Sequence, residues 1–129
     1  MTFKMVHTEK APKAIGPYSQ AVRAGDFLFC SGQIPIDPAT GNLELSDGDA
    51  AKQARLVLDN LKAVLESEGL GFDNIVKTTI FLSNMEHFAA VNDVYASYFN
   101  AYKPARACVA VATLPKGVDV EIEAVAYAV

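Results

Sequence analysis

Arg106 opens the run PARACVAVAT (104–113), which is otherwise small and apolar. Its guanidinium stays charged at any physiological pH. It therefore either keeps its head in water or aims at an anion. The planar fork matches a carboxylate with two parallel hydrogen bonds, a fit that lysine lacks. The residues alone leave both fates open. Glu121 and Glu123 lie two apart in VEIEAVAYAV (120–129), and alternate strand positions point to one side. They form either a solvated polar face or a site where one carboxylate positions or deprotonates water. Val125 and Tyr127 on the same face favour partial burial of Glu121, but nothing local separates the two acids. Asn92 interrupts an apolar stripe of Phe88, Val91, Tyr95 and Phe99. A buried amide without partners costs about 1–3 kcal/mol, so Asn92 must bond either a neighbouring strand or a ligand.

Three smaller features accompany these. Tyr18 and Ser19 follow Gly16-Pro17, and Ser31-Gly32 follows a buried run. Glycine there marks a β-bulge or lets a ligand or another backbone approach closely. Cys108 shares a strand side with Arg106 and reads first as a buried, inert thiol. His7 and His87 are isolated and show no metal-ligand spacing. GxGxxG, Walker and GxSxG motifs are absent from the sequence, and no nucleophile has an obvious adjacent base. Any chemistry must therefore be undemanding. An activated electrophile attacked by water would need only an anion clamp and one carboxylate.

The elements that would hold these residues are short and closely punctuated. Ser19–Arg23 reads as a strand, Ala24-Gly25-Asp26 as a hairpin turn and Phe27–Ser31 as a buried strand. Gly32 is expected to interrupt that strand and Gln33–Ile36 to continue it. A helix follows N-cap candidates at Ser46 to Asp49, with Ala54, Val57, Leu58, Leu61, Val64 and Leu65 on one stripe and Gly69 just past its end. Arg55–Asp59 and Lys62–Glu66 have i,i+4 spacing on its wet side. Ile75–Leu82 is a β-branched strand. Ser83 to Glu86 has capping-box spacing ahead of a second helix over 85–102. Strands over 107–114 and 118–129 close the chain. The order β-β-α-β-α-β-β predicts an α+β fold in one domain (1–129), with both helices on one face of a mostly antiparallel or mixed sheet. On the last strand Val118, Val120, Ile122, Ala124, Ala126 and Ala128 form an apolar face for the helices. Asp119, Glu121, Glu123, Val125, Tyr127 and Val129 form a mixed face of the kind found at oligomer interfaces.

Composition sets outer bounds. The 129 residues are 51% hydrophobic and 20% charged, with a net charge of −4, which is a globular balance. No dense basic run is present, so nucleic acid is not expected as a partner. Cys30 and Cys108 lie in apolar runs and read as reduced thiols rather than a disulfide. No apolar run reaches membrane-spanning length, and the first ten residues lack a secretory or transit pattern. The expected location is the cytoplasm.

Taken together, IGPYSQAV (15–22), LFCSGQIPIDPATG (28–41), VKTTIFL (76–82), VNDVYASYF (91–99) and PARACVAVATLPKGVDVEIEAVA (104–126) resemble the Rid/YjgF family. More narrowly, they resemble its RidA branch of enamine/imine deaminases. The resemblance covers nearly the whole chain. It implies a chorismate mutase-like fold assembled as a homotrimer around a central β-barrel, with clefts between subunits. It also implies hydrolysis of 2-aminoacrylate or 2-iminopropanoate to a 2-oxo acid and ammonia, without metal or cofactor. By motif, Arg106 would hold the substrate carboxylate and Glu121 would orient or activate water. Tyr18, Ser31, Gly32, Asn92 and Cys108 would line the cleft, with Gly32 and Cys108 contributing backbone groups. Two rivals accompany this reading: an endoribonuclease or translation-inhibitor activity, against which the acidic charge argues, and a non-catalytic sensor of small carboxylates. A chaperone-like role has no marker in the sequence.

Overall fold

A computed structural model describes residues 3–128. Its strands are β1 (Phe3–Val6), β2 (Ala21–Ala24), β3 (Phe27–Gln33), β4 (Ile75–Leu82), β5 (Ala105–Ala110) and β6 (Val120–Tyr127). Helix α1 (Ala50–Ser67) lies between β3 and β4, and α2 (Phe88–Ala96) between β4 and β5. The strands form one mixed sheet in the order β1-β2-β3-β6-β4-β5. Only β4 and β5 run parallel. The parallel pair requires a crossover, and α2 supplies it.

The core lies between one sheet face and the helices. Ala54, Val57, Leu58, Leu61, Val64 and Leu65 of α1 are all fully buried. They meet Leu28, Ile80, Leu82, Val120, Ile122 and Ala126 from the sheet in one cluster. Fully burying a side chain of the Val or Leu type contributes about 1.5–3 kcal/mol, so this stripe fixes α1 on the sheet. The Asp49 side chain caps the helix by accepting from Lys52 N at 3.2 Å. Gly69 ends it in the left-handed region at φ 73°, with Gly69 N donating to Glu66 O and Leu70 N to Leu65 O.

Several expectations need correction. The sheet has a sixth strand, β1, in a segment of four residues that is too short to show period-2 alternation. β2 begins at Ala21, because Gln20 is used as a clasp (below). β3 runs unbroken through Gly32, with a register shift against β6 between Cys30 and Gln33. Gln33 is its last residue and 34–36 do not extend it; Ile36 makes an isolated bridge to Leu43. α2 stops at Ala96, because the following amides close tight i→i−3 turns, Ser97 to Val94 O and Tyr98 to Tyr95 O. Ser97 Oγ also donates to Val94 O, and Lys103 Nζ donates to Phe99 O and Asn100 O. Ser83 does not cap α2. Asn84 instead caps the single 3-10 turn Met85–His87 that leads into it, accepting from Glu86 N at 2.8 Å, while Ser83 Oγ turns to Asp119. Arg55–Asp59 and Lys62–Glu66 are absent from the ion pairs among the described residues; Asp59 accepts from Tyr98 Oη at 2.7 Å instead. β5 spans Ala105–Ala110, and β6 ends at Tyr127. The expected place of Val129 on the mixed face lies outside the described residues. No helix among the described residues is long and apolar enough to cross a membrane.

The alternation on β6 is as expected. Val120, Ile122, Ala124 and Ala126 are buried, Glu121 and Val125 are half-buried, and Glu123 and Tyr127 are exposed. The face away from the helices carries no covering layer. Phe27, Phe29, Val109 and Tyr127 are exposed on it. Phe27 packs its ring against Phe29 and Tyr127.

Buried amides tie the irregular segments to this frame. The Gln20 Oε1 accepts from Thr8 N at 2.7 Å, and Nε2 donates to the carbonyls of Thr8, Ala11 and Pro12. Asn60 on α1 holds the carbonyls of Ile34 and Ile36. Removing one partner of buried backbone groups leaves them unsatisfied. Gln20→Ala should lower unfolding stability by about 2–4 kcal/mol, read as a shifted urea midpoint with an unchanged m-value.

Candidate functional site

The structure places the candidate residues in two groups, on opposite faces of the sheet. The first group surrounds Arg106 on the helix face. Arg106 pairs in register with Thr78 of β4, and Thr78 with Ala124 of β6, both buried under the helices. The Arg106 guanidinium lies against α2. Its Nη1 donates to Asn92 Oδ1 at 2.7 Å. Its Cζ sits 5.0 Å from the Tyr95 ring centroid and 5.7 Å from that of Phe88, a cation–π cradle. The Tyr95 hydroxyl is fixed in turn by Thr78 Oγ1 at 2.8 Å. No carboxylate among the described residues forms an ion pair with Arg106. One direction of the five-donor fork is occupied by Asn92, and the rest of the exposed fork faces a cavity of about 320 Å³. Asn92 thus bonds to the neighbouring strand, as one of its two expected roles required. Cys108, two residues along β5, is half-buried against the core. Burial pushes its thiol up from the usual value, with the Arg106 charge pulling the other way.

The second group lies across the sheet. Glu121 pairs in register with Phe81 and lines a cavity of about 530 Å³ together with Tyr18, Ser31 and Gly32. A Cβ built on Gly32 would lie 2.1 Å from Glu121 Oε2. The glycine thus leaves room for the carboxylate that lies over it, and any side chain there would have to push that carboxylate aside. Of the alternatives in the sequence, the register shift of a β-bulge is present, and the group that approaches Gly32 is a side-chain carboxylate rather than another backbone. Ser31 Oγ donates to Ser19 O at 2.6 Å, which ties the loop bearing Tyr18 to β3. Tyr18 is exposed at the cavity mouth. Burial first, and the Glu123 charge second, raise the Glu121 carboxyl above its ordinary value. This separates the two acids that the sequence left equivalent, since Glu123 is exposed.

Phe88 and Tyr95 are the site residues that sequence reasoning placed only in a core stripe. The signal was their spacing with Asn92, which puts all three on one helical face. Cys30 is a free, buried thiol pushed up to about 12 by desolvation, and it takes no part in either group. Among the described residues, no group of three or more His, Cys, Asp or Glu side chains is placed to hold a metal ion.

The raised Glu121 value has a definite thermodynamic sign. Folding disfavours its ionised form, so stability is highest below the unfolded carboxylate value and falls as pH rises through the folded one. Glu121→Gln should therefore raise the Tm at neutral pH, and the gain should vanish below about pH 4, near the reference carboxylate value. Gly32→Ala should displace the Glu121 carboxylate towards water. NMR titration of that carboxyl group should then show its pKa lowered towards the ordinary range.

Comparison with known proteins gives a uniform answer. The family model described as Endoribonuclease L-PSP matches residues 8–128. A 2-iminobutanoate/2-iminopropanoate deaminase of Escherichia coli K12 is 51% identical over 126 residues, covering 95% of this chain and 96% of the relative. The Rid-family protein YyfA of Yersinia pestis superposes with a TM-score of 0.93 at 50% identity, covering 98% and 99% of the two chains. Escherichia coli TdcF, solved with bound serine, has a TM-score of 0.90 at 46% identity, covering 96% and 98%. With the sheet, the helices and nearly the full length matched, the chain belongs to the Rid/YjgF family.

Proposed function

We propose that the protein is an imine deaminase. It hydrolyses 2-aminoacrylate, 2-iminopropanoate and similar small imino acids to 2-oxo acids and ammonia. One observation carries this reading: an arginine with no carboxylate partner among the described residues on one sheet face, and a half-buried glutamate lying over a glycine on the other. The 51% identity to a deaminase of that name supports it, as does the serine bound to TdcF, a small amino acid with the carboxylate an arginine would clamp.

The two groups cannot meet within one copy, because strand alternation holds them on opposite faces. The reading therefore includes a homotrimer, in which the Arg106 side of one copy faces the Glu121 side of the next. The uncovered apolar face of the sheet, with Phe27, Phe29, Val109 and Tyr127 exposed, would form the inner wall of such an assembly. In each cleft Arg106 takes the substrate carboxylate with the donors that Asn92 leaves free. Glu121 accepts a hydrogen bond from water and draws off its proton as the oxygen attacks the C=N carbon. Glu121 returns that proton to the imine nitrogen to give the carbinolamine, then relays the hydroxyl proton to the same nitrogen as the C–N bond breaks, so that ammonia leaves and the 2-oxo acid remains. The electrophile is already activated, so orientation supplies most of the acceleration.

Arg106→Lys should raise KM for imine hydrolysis more than it lowers kcat, in an assay coupled to a dehydratase and reading pyruvate release. Glu121→Gln should lower kcat by roughly 10²-fold or more while ligand binding is kept; full turnover in that variant would refute the assignment. In the wild type, kcat/KM should fall as pH drops through the raised Glu121 value. Co-refolding equal amounts of the inactive Arg106→Ala and Glu121→Gln chains should restore activity in about a quarter of the clefts of a random closed ring. No restoration would mean that each site is built from a single copy.

A further inference from the structure

Asp119 is absent from both groups, yet it touches the segments that carry them. It stands immediately before β6, two residues from Glu121. Its Oδ1 accepts from Ser83 Oγ at 2.6 Å. Its Oδ2 accepts from Gln53 Nε2 at 2.9 Å, and its own backbone N donates to Gln53 Oε1 at 2.8 Å. Ser83 N donates to Asp119 O at 3.0 Å. His87 Nε2 lies 3.6 Å from Oδ1. Gln53 is fully buried on α1, and its Nε2 also donates to Leu45 O. The amide is therefore fixed in one orientation, with every polar atom used.

Ser83 and His87 bracket the turn that leads into α2. Phe88 follows directly, and Asn92 one turn later; both contact Arg106. On the other side, the chain passes from Asp119 through Val120 to Glu121. One carboxylate thus joins the turn that sets the Arg106 group to the strand that sets the Glu121 group, with α1 as the common anchor. Tyr95 and Thr78 hold α2 further along; at its entry the β4–β6 ladder ends at Leu82 and Val120, and the Asp119 cluster carries the connection on through Ser83 to the turn.

We propose that Asp119 is a positioning residue for both half-sites, fixing the Arg106 group relative to the Glu121 group within each copy. The proposal rests on the composite cleft described above. In a closed ring each copy supplies its Arg106 side to one cleft and its Glu121 side to another. The internal relation between the two sides then decides whether all clefts close correctly at once. A displacement of about 1 Å at a reacting centre can cost up to about 10²-fold in rate. Asp119 touches no substrate in this account and acts through Ser83, His87 and the β6 backbone.

The test compares Asp119→Ala, Ser83→Ala and a control, Tyr98→Phe, at a temperature well below the lowest Tm. Tyr98→Phe removes the hydroxyl donated to Asp59 and Arg55 O, which loosens α1 and α2 without touching the Asp119 cluster. Asp119→Ala should raise KM and lower kcat together, with kcat/KM reduced roughly tenfold or more. Ser83→Ala should act mainly on KM, through the α2 side. Tyr98→Phe should lower Tm and leave both constants within twofold. Backbone amide exchange supplies a reading that needs no activity. In Asp119→Ala it should accelerate in both 83–92 and 118–122, and stay unchanged in the middle of α1. If Asp119→Ala keeps both kinetic constants within twofold, or if exchange changes in neither segment or only one, the proposal is wrong. A wild type without imine hydrolysis would refute the deaminase reading, while the exchange result still decides the role of Asp119.

Discussion

A β-strand shows successive side chains to opposite faces, and that alternation governs how this molecule can use its two charged groups. Arg106 shares a level with Thr78 and Ala124, under the helices. Glu121 shares a level with Phe81, on the uncovered side. A slip of one residue in the pairing of β6 would exchange the faces, bury two carboxylates in the core and expose Ile122 and Ala124. The hydrophobic pattern of β6 therefore does more than fill the core. By fixing Val120, Ile122, Ala124 and Ala126 inward, it forces Glu121 outward onto Gly32. The register that stabilises the fold is the same register that separates clamp from carboxylate.

The two groups are held in different ways. Arg106 is held by its surroundings: an amide acceptor, two aromatic rings and a threonine that fixes one of them. All of these come from α2 and β4, so the clamp follows the crossover helix. Glu121 is held by what is missing. Gly32 has no side chain, and the β3 bulge brings its backbone beneath the carboxylate. Burial first, and the neighbouring Glu123 charge second, raise the affinity of Glu121 for a proton. No ion pair among the described residues holds it. Polar side chains do related work elsewhere. Gln20, Gln53 and Asn60 are buried amides, each bonded to backbone groups of irregular segments, and between them they connect the loops around the larger cavity to the sheet and to α1.

Where the sequence carried a period, it could be read. The stripe from Ala54 to Leu65 defined α1, and the alternation from Val120 to Tyr127 defined β6 and its two faces. Arg106, Glu121, Gly32 and Asn92 stood out because their types conflict with their apolar neighbours. The rest depended on partners distant in sequence. Ser83 has the spacing of a capping residue, but its acceptor is Asp119, thirty-six residues away. The end of α2 was set by short-range turns and the Lys103 ammonium, which outcompeted a helical pattern that ran on to Tyr102. β1 has only four residues and is visible only through its pairing with β2. Period-2 counting also assigned Asp119 to the face of Glu121, whereas it precedes the strand and bonds to α1.

Arg106 sits at one margin of the sheet. β5 is an edge strand, paired on one side only, and five of its six residues are exposed. Opening energies in a folded protein range from near zero at poorly packed edges to the full unfolding energy in the core. Arg106 thus belongs to the shallow end of that range, and Glu121, on the central strand between β3 and β4, to the deep end. Detaching one strand would therefore move Arg106 while Glu121, the core and the rest of the sheet stay in place.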